Sequence, residues 1–384
     1  MKTRKNSDVE CIAYKFMVRP SEAQKTVFAK AFGCKRFLYN AMLADESFHY
    51  QQMGCFLRNE VSDYKEDFPF LYEVDSLVLA NAKLNLTAAF QKFYDGTAQY
   101  PVFKKKSGRQ SFTTNCSNKN QPNLVYDVTT RLLKLPKIKE SLPVVQHRKI
   151  KPGGVLKSAT VSMETDGRYY VSMLYEYPKV EIVTPAKTSD IKAIGLDMSM
   201  EHFYVDSNGN FTDYPKFYRR MEAVLAKEQA RLSRMVKESN NYNKQKKRIA
   251  KLYAKIKHQR NDFLHKLSYN LVMEYDVICI ESLSMKGMSK GLHLGKSVHD
   301  LGWGEFVRML AYKCRKYGKT LVMIDKFYPS SKTCMECGYV HKELTLSDRV
   351  FVCPQCGHVI DRDWQAAMNI LCEGLRIYYS QLAA

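Results

Sequence analysis

Four cysteines fall as two close pairs, Cys334-x-x-Cys337 and Cys353-x-x-Cys356, with fifteen residues between them. Each pair sets two thiolates on one tight knuckle, and a β-hairpin would bring the knuckles together as a tetrahedral four-cysteine site for Zn2+. Gly338 and Gly357 directly follow the second cysteine of each pair, where a knuckle needs a permissive backbone. A closed four-cysteine site leaves no coordination position for water, so its role is structural. The other use of such pairs, thiol–disulfide chemistry, needs a thioredoxin-like βαβ context that this stretch lacks.

A second set of residues is acidic. Asp197 stands in the otherwise apolar run Ile194-Gly195-Leu196-Asp197-Met198, and Glu281 ends another, Val277-Ile278-Cys279-Ile280-Glu281. A carboxylate in such a strand needs a partner or a cation, because burying it unpaired is costly. Asp361 and Asp363 open a third segment, in which Trp364, Ala367, Met368 and Leu371 recur at helical spacing. Any one of these acids alone is more often a cap or a salt-bridge partner. Together they form a hard oxygen donor set suited to Mg2+, which activates water and stabilises the leaving oxygen in phosphodiester cleavage. Both Asp361 and Asp363 lie at the start of the helix, and either can supply the third ligand, Asp361 being also a candidate helix cap.

The charge balance points to the substrate. The chain of 384 residues carries 60 Lys+Arg against 39 Asp+Glu, a formal net charge of +21. Such an excess repels itself unless a polyanion neutralises it, so nucleic acid is the expected partner. The basic groups concentrate in residues 103–118, 131–151 and 216–260. Candidate phosphate contacts are Lys104, Lys105, Lys106 and Arg109, interleaved with Phe103 and Phe112, and Lys246, Lys247 and Arg248. A membrane location is not expected: Asn6-Ser7-Asp8 stands where a signal peptide would need an apolar run, and no stretch is apolar for long enough to span a bilayer. Solitary cysteines such as Cys11, Cys34, Cys279, Cys314 and Cys372 suit a reducing compartment rather than a disulfide framework.

The elements that must position these groups follow from periodicity. Residues 9–19 read as a strand ended by Pro20, and Ser21-Glu22-Ala23-Gln24 has the form of a capping box. Val27, Phe28, Ala31 and Phe32 continue at helical spacing, and a mostly helical region runs to about residue 115, with breaks near Gly54, Pro69 and Pro101. From about 120 to 182 the period shortens, with strands expected at Leu133–Leu135, Ala159–Met163 and Tyr169–Tyr175. Thus a β-rich unit brackets a helical insertion, and a linker from Pro178 to Ser189 leads to the next domain. There, strands are expected over residues 191–205, 277–283 and 320–325, around a long basic helical pair at 216–275. Leu225, Leu232, Met235, Ile249, Leu252, Tyr253 and Ile256 form the core stripe of that pair.

With these motifs in hand, the chain resembles the TnpB family of transposon-encoded, RNA-guided DNA endonucleases, relatives of the compact type V CRISPR effectors. The resemblance rests on the Gly-x-Asp strand at Asp197, the Ile-Glu-x-Leu strand at Glu281 and the Asp-Arg-Asp-x-x-Ala-Ala-x-Asn-Ile stretch at Asp363. It extends to Lys286-Gly287-Met288, Gly302-Trp303-Gly304-Glu305-Phe306, Tyr328-Pro329-Ser330-Ser331-Lys332-Thr333-Cys334, Arg19-Pro20-x-x-x-Gln24 and Tyr39-Asn40. It covers nearly the whole chain and is most specific from 191 to 371.

The resemblance implies an α/β fold: an RNase H-like RuvC nuclease domain with an inserted zinc ribbon, and an N-terminal β-barrel-like wedge domain carrying a helical recognition insertion. The implied boundaries are 1–19 for the first wedge strand, 20–118 for the insertion, 119–185 for the rest of the wedge, 186–332 for the nuclease, 333–357 for the ribbon and 358–384 for the nuclease C-terminal part. It further implies catalytic Asp197, Glu281 and Asp363 with about two Mg2+, one structural Zn2+, a structured guide RNA, double- and single-stranded target DNA, and residence in the prokaryotic cytoplasm near the nucleoid. The family usually carries Asn two residues after its last catalytic Asp, where this chain has Gln365. Alternative readings are a CRISPR-associated effector, whose guide comes from a repeat array, and a guide-dependent DNA-binding repressor with weak or no cleavage.

Overall fold

The structure is a computed structural model in which residues 9–54, 60–117, 122–179, 191–284, 287, 300–345 and 348–383 are described. The basic opening residues, nearly all of the expected linker, and Lys286 and Met288 of the Lys-Gly-Met stretch lie outside the described residues. The chain divides into two compact units, Met1–Val180 and Glu181–Ala384.

The first unit begins with β1 (Val9–Val18), whose inward positions Tyr14, Phe16 and Val18 are buried. The capping box then starts α1 (Glu22–Met53): Ser21 Oγ accepts the Gln24 N–H, and Gln24 Oε1 accepts the Ser21 N–H. The same Gln24 donates its amide to the Glu140 carbonyl at 3.1 Å, tying the helix start to the entry of a distant strand. Next come α2 (Val61–Asp67), a 3-10 turn (Pro69–Glu73), α3 (Ser76–Tyr94) and the strands β2 (Gln110–Asn115), β3 (Val125–Asp127), β4 (Leu132–Lys134), β5 (Leu142–Val145), β6 (Val155–Met163) and β7 (Tyr169–Pro178). They form one antiparallel sheet in the order β2-β6-β7-β1-β5-β4-β3.

β1 pairs along its whole length with β7, so the first strand joins the last and the helices are an excursion between them. Phe28 and Phe32 of α1 pack on Phe112 of β2, which seats that excursion on the sheet. The sheet reaches further back along the chain than periodicity suggested, because β2 pairs with β6 within the segment read as basic insertion. Among the described residues β2 and β3 are free edges, so the barrel-like expectation corresponds here to an open-edged sheet.

The second unit is built on β8 (Ala193–Met198), β9 (Tyr204–Asp206), β10 (Phe211–Thr212), β11 (Val277–Glu281) and β12 (Thr320–Ile324), in the order β10-β9-β8-β11-β12. β8, β11 and β12 run parallel, and β9 is antiparallel to β8. Around them lie α4 (Phe217–Ser233), α5 (Asn240–Glu274), α6 (Trp303–Tyr317), a hairpin of β13 (Val350–Val352) and β14 (Val359–Asp361), and α7 (Arg362–Ala383).

Side chains alternate across this sheet. Ile194, Leu196, Ile278 and Ile280 enter the core shared with α5 and α6, which includes Leu264, Phe306 and Leu310. Val277, Cys279, Val322 and Ile324 enter the opposite core with Ile370 of α7. Two glycines let α7 lie close on that second face. A Cβ on Gly195 would sit 2.2 Å from the Ala367 carbonyl oxygen, and one on Gly374 would sit 2.3 Å from Cys279 Sγ. No helix among the described residues is long and apolar enough to cross a membrane.

Candidate functional site

The sheet places two of the acids by register. Val277 pairs with Ala193 and Ile280 with Leu196, a parallel alignment that, continued by one residue, sets Glu281 beside Asp197. By alternation both point to the face that α7 covers, the face of Gly195 and Cys279. Asp363 lies in the first turn of α7. Burial pushes the Asp197 carboxyl well above the ordinary carboxylate range, the charges of Asp363 and then Glu281 push the same way, and Arg362 opposes them. Burial also raises Glu281, to about 7, with the charge of Asp325 adding to it.

Asp361, the rival for the third position, has another task. Its Oδ1 accepts the Trp364 N–H at 2.9 Å, which caps the start of α7. Trp364 in turn donates its indole N–H to the Ser207 carbonyl at 3.1 Å, so the helix start is pinned to the turn after β9. Gln365 is fully buried with neither amide atom hydrogen-bonded. One turn later Asn369 donates to the carbonyls of Ser330 and Thr333, both at 2.7 Å.

The cysteines form two near-identical knuckles. Cys334 N–H donates to the Tyr339 carbonyl and Gly338 N–H to the Cys334 carbonyl; Cys353 and Gly357 repeat the pattern with His358 and Cys353. Gly338 and Gly357 share the same left-handed φ of 73°, the conformation expected of the residue after each knuckle. All four sulfurs lie within 4.8 Å of one another, with Cys334–Cys356 at 3.7 Å and Cys337–Cys353 at 3.5 Å. A tetrahedron with metal–sulfur bonds of about 2.3 Å has edges of about 3.8 Å, so the thiols fit one tetrahedral ion. Among the described residues this is the one group of three or more His, Cys, Asp or Glu gathered that tightly. Phe351, Leu344 and Ile360 fill the space beneath the knuckles, against Trp364 and Met368 of α7.

Arg362 spans the two clusters and carried no signal beyond standing between two aspartates. Its Nη1 donates to the carbonyls of Thr345 and Asp348 in the ribbon loop, at 2.8 and 2.9 Å, while its charge reaches Asp197.

The basic candidates divide. Lys104, Lys105, Lys106 and Arg109 are exposed on the segment after α3. Asn40 holds that segment by donating to the Lys104 carbonyl and accepting its N–H, and the Lys104 ammonium lies 4.7 Å over the Tyr39 ring. These contacts explain the Tyr39-Asn40 pair physically. Lys246, Lys247 and Arg248 are all exposed on α5, and Arg248 also meets the largely buried Glu228 at 3.3 Å. Glu228 also accepts the Gln245 amide at 2.6 Å, so Arg248 belongs to the network joining α4 to α5.

Three segments match known families: residues 170–291 the "Probable transposase" family, residues 303–370 the "Cas12f1-like, TNB domain" and residues 11–55 a "Helix-turn-helix domain". The last segment is here a strand and one unbroken helix, β1 and α1. A "Putative RNA-guided DNA endonuclease" of Streptomyces pristinaespiralis is 35% identical over 371 residues, 94% of this chain and 89% of that one. The "Putative RNA-guided DNA endonuclease InsQ" of Escherichia coli (strain K12) is 29% identical over 94% of this chain and 92% of its own. Among solved structures, the protein of a Cas12f1-sgRNA-target DNA complex aligns with a TM-score of 0.56 at 11% identity, over 95% of this chain and 99% of that one, a likeness of fold. The extent of the Streptomyces match, together with the transposase-family segment over β7 to β11 and beyond, shows that the chain belongs to the TnpB family.

Proposed function

We propose that the chain is an RNA-guided, Mg2+-dependent DNA endonuclease with a single RuvC-type, RNase H-like site. One observation carries the catalytic part: Asp197 and Glu281 stand in register on adjacent parallel strands, beneath the helix whose first turn holds Asp363. Asp197, raised by burial and by the charges of Asp363 and Glu281, and Glu281, raised by burial and the charge of Asp325, belong to a donor set that a hard divalent cation relieves. Three carboxylates from three elements can be shared between two ions, as two-metal phosphodiester chemistry requires. Bound Mg2+ would supply Lewis acidity to the attacking water and the leaving oxygen. Asp197, Glu281 and Asp363 hold that charge in place; Asp361 keeps the helix start fixed, and Arg362 moderates the negative field.

The cysteines would hold one Zn2+ as a structural brace, since all four positions are protein sulfur. We assign residues 1–19 and 119–185 to a wedge, 20–118 to a recognition insertion, 186–332 and 358–384 to the nuclease and 333–357 to the ribbon. The pairing of β1 with β7 supports the wedge as one body from two chain segments. Lys104, Lys105, Lys106, Arg109, Lys246, Lys247 and Arg248 would contact phosphates, in keeping with a cytoplasmic protein that works on the nucleoid. A net charge of +21 spread over several regions exceeds what one short DNA footprint neutralises, and suits a folded guide RNA with its heteroduplex.

The test is cleavage of a matched duplex library by the protein purified with its RNA. The RNA-bound protein should cut in Mg2+, stop on chelation and resume when Mg2+ returns; RNase treatment should leave weak, salt-sensitive DNA binding. Site-defined cutting by RNA-free protein would overturn the guided part, and undiminished cutting after chelation would overturn the metal part.

A further inference from the structure

Phe327 is the most exposed of the large apolar side chains among the described residues, with 80% of its surface open. It does not lie on a loose loop. Asp325 Oδ1 accepts the Phe327 N–H at 2.7 Å, and the Asp325 carbonyl accepts the Tyr328 N–H at 3.1 Å, closing a tight turn with Lys326 and Phe327 at its corner. The Lys326 ammonium lies 4.5 Å over the Phe327 ring. The turn leaves the carboxyl end of β12, whose Ile324 pairs with Glu281, and Ser282 N–H donates to the Ile324 carbonyl at 3.1 Å. The corner therefore stands one strand away from the acid cluster, at the strand ends where open α/β sheets take their ligands.

A rigid turn that holds an aromatic face in water, with a cation over it and acids beside it, has the makings of a stacking platform. Single-stranded nucleic acid offers a base to the ring and a phosphate to the ammonium. We propose that Lys326 and Phe327 form a subsite for the DNA strand being cut, Phe327 stacking on a base near the scissile phosphate and Lys326 meeting an adjacent phosphate. The subsite rests on the nuclease reading above and deepens it. Its role is to position the strand over the acids, since guide pairing holds the target elsewhere.

The experiment uses the full RNA-bound protein and a matched target, comparing wild type with Phe327→Ala, Phe327→Leu and Phe327→Trp under single turnover, while a series of targets carries one abasic position each along the cut strand. Phe327→Ala and Phe327→Leu should slow cutting roughly 5- to 150-fold, the range of one lost base stack, with target affinity and melting temperature unchanged. Phe327→Trp should cut at close to the wild-type rate. In wild type one abasic position should slow cutting by a similar factor, and in Phe327→Ala that position should have no further effect. Wild-type cutting by Phe327→Ala overturns the subsite, as does full activity in Phe327→Leu, which marks the ring as a mere apolar contact for another protein surface, or an abasic penalty that persists undiminished in Phe327→Ala. Those results leave the nuclease reading standing; a wild type that cuts no guided target overturns both, and is seen before any variant is made.

Discussion

The thiols and the acids of the second unit meet by different routes. Cys334 and Cys337 lie in a knuckle bracketed by the Thr333–Val340 bridge, Cys353 and Cys356 in the turn of the β13–β14 hairpin; each knuckle is closed by its own backbone hydrogen bonds, and the sulfurs are already at the spacing of a tetrahedron. Asp197, Glu281 and Asp363 come from β8, β11 and α7: strand pairing sets the first two side by side, and the packing of the helix on the sheet brings the third to them. Thiols tolerate close approach while protonated, and once they are thiolates one metal ion relieves their repulsion. Carboxylates set by a folded sheet repel, and the fold holds them in spite of that. One cluster should therefore contribute to folding stability, while the other should draw on it.

Asp197→Asn tests the contrast most sharply and should have the largest effect on activity. Guided cutting should fall to background with target binding retained, because a metal ligand and not a phosphate clamp is lost. In metal-free protein the same change should raise stability by about 1–2 kcal/mol, as the crowding of like charges is relieved. The sign follows from the Asp197 carboxyl itself: burial and the charges of Asp363 and Glu281 raise it well above its ordinary value, so its contribution is present at low pH and is lost as pH rises through the raised value, a loss that the neutral Asn does not suffer. The gain in melting temperature for Asp197→Asn should thus be greater at pH 8 than at pH 5, to be read by thermal melts in chelator at both. A lower melting temperature at pH 8 would break the contrast.

Cys334→Ser should act in the opposite direction. Zinc content should fall, and the C-terminal part should lose several kcal/mol, since a site closed by four cysteines contributes folding energy directly. Elemental analysis with limited proteolysis around residues 333–357 would show it, and pure wild-type protein without zinc would contradict the assignment.

Gly195→Ala should separate the placement of the acids from the acids themselves. Its Cβ would meet the Ala367 carbonyl at 2.2 Å, so α7 must shift away from β8, at about 1–3 kcal/mol. Cutting should drop although every acid remains, with zinc content unchanged; wild-type kinetics would show that the seat of α7 does not set the site.

Arg362→Met should have the smallest effect, and the one that touches both clusters. It removes two hydrogen bonds to the ribbon-loop carbonyls and a positive charge near Asp197, at about 1–3 kcal/mol. Hydrogen exchange of the loop around Thr345 should rise, and the Mg2+ concentration needed for cutting should change. A change in only one of these would mean that the clusters are independent.

Where a feature depends on neighbours in the chain, the amino-acid sequence determined it. The paired cysteines with their trailing glycines, the Ser21–Gln24 box, the basic helical pair and the acids within apolar strands are all short-range patterns, and each is governed by local backbone geometry or by periodicity. The short strands β3, β5 and β10 were not legible, because two to four residues carry too little alternation to stand out. Nor was β2, whose Phe112 reads as an aromatic in a basic run until β6 pairs with it.

The tertiary structure alone decided which partner each polar group has. It gave Arg248 to Glu228 and Asn40 to the backbone of Lys104, choices among many partners of similar chemistry. It also brought Glu281 level with Asp197. Strand register arises from side chains packing across two cores at once, Ile194 and Ile278 on one face and Cys279 against Gly374 on the other, and no stretch of sequence contains both sides of such a contact.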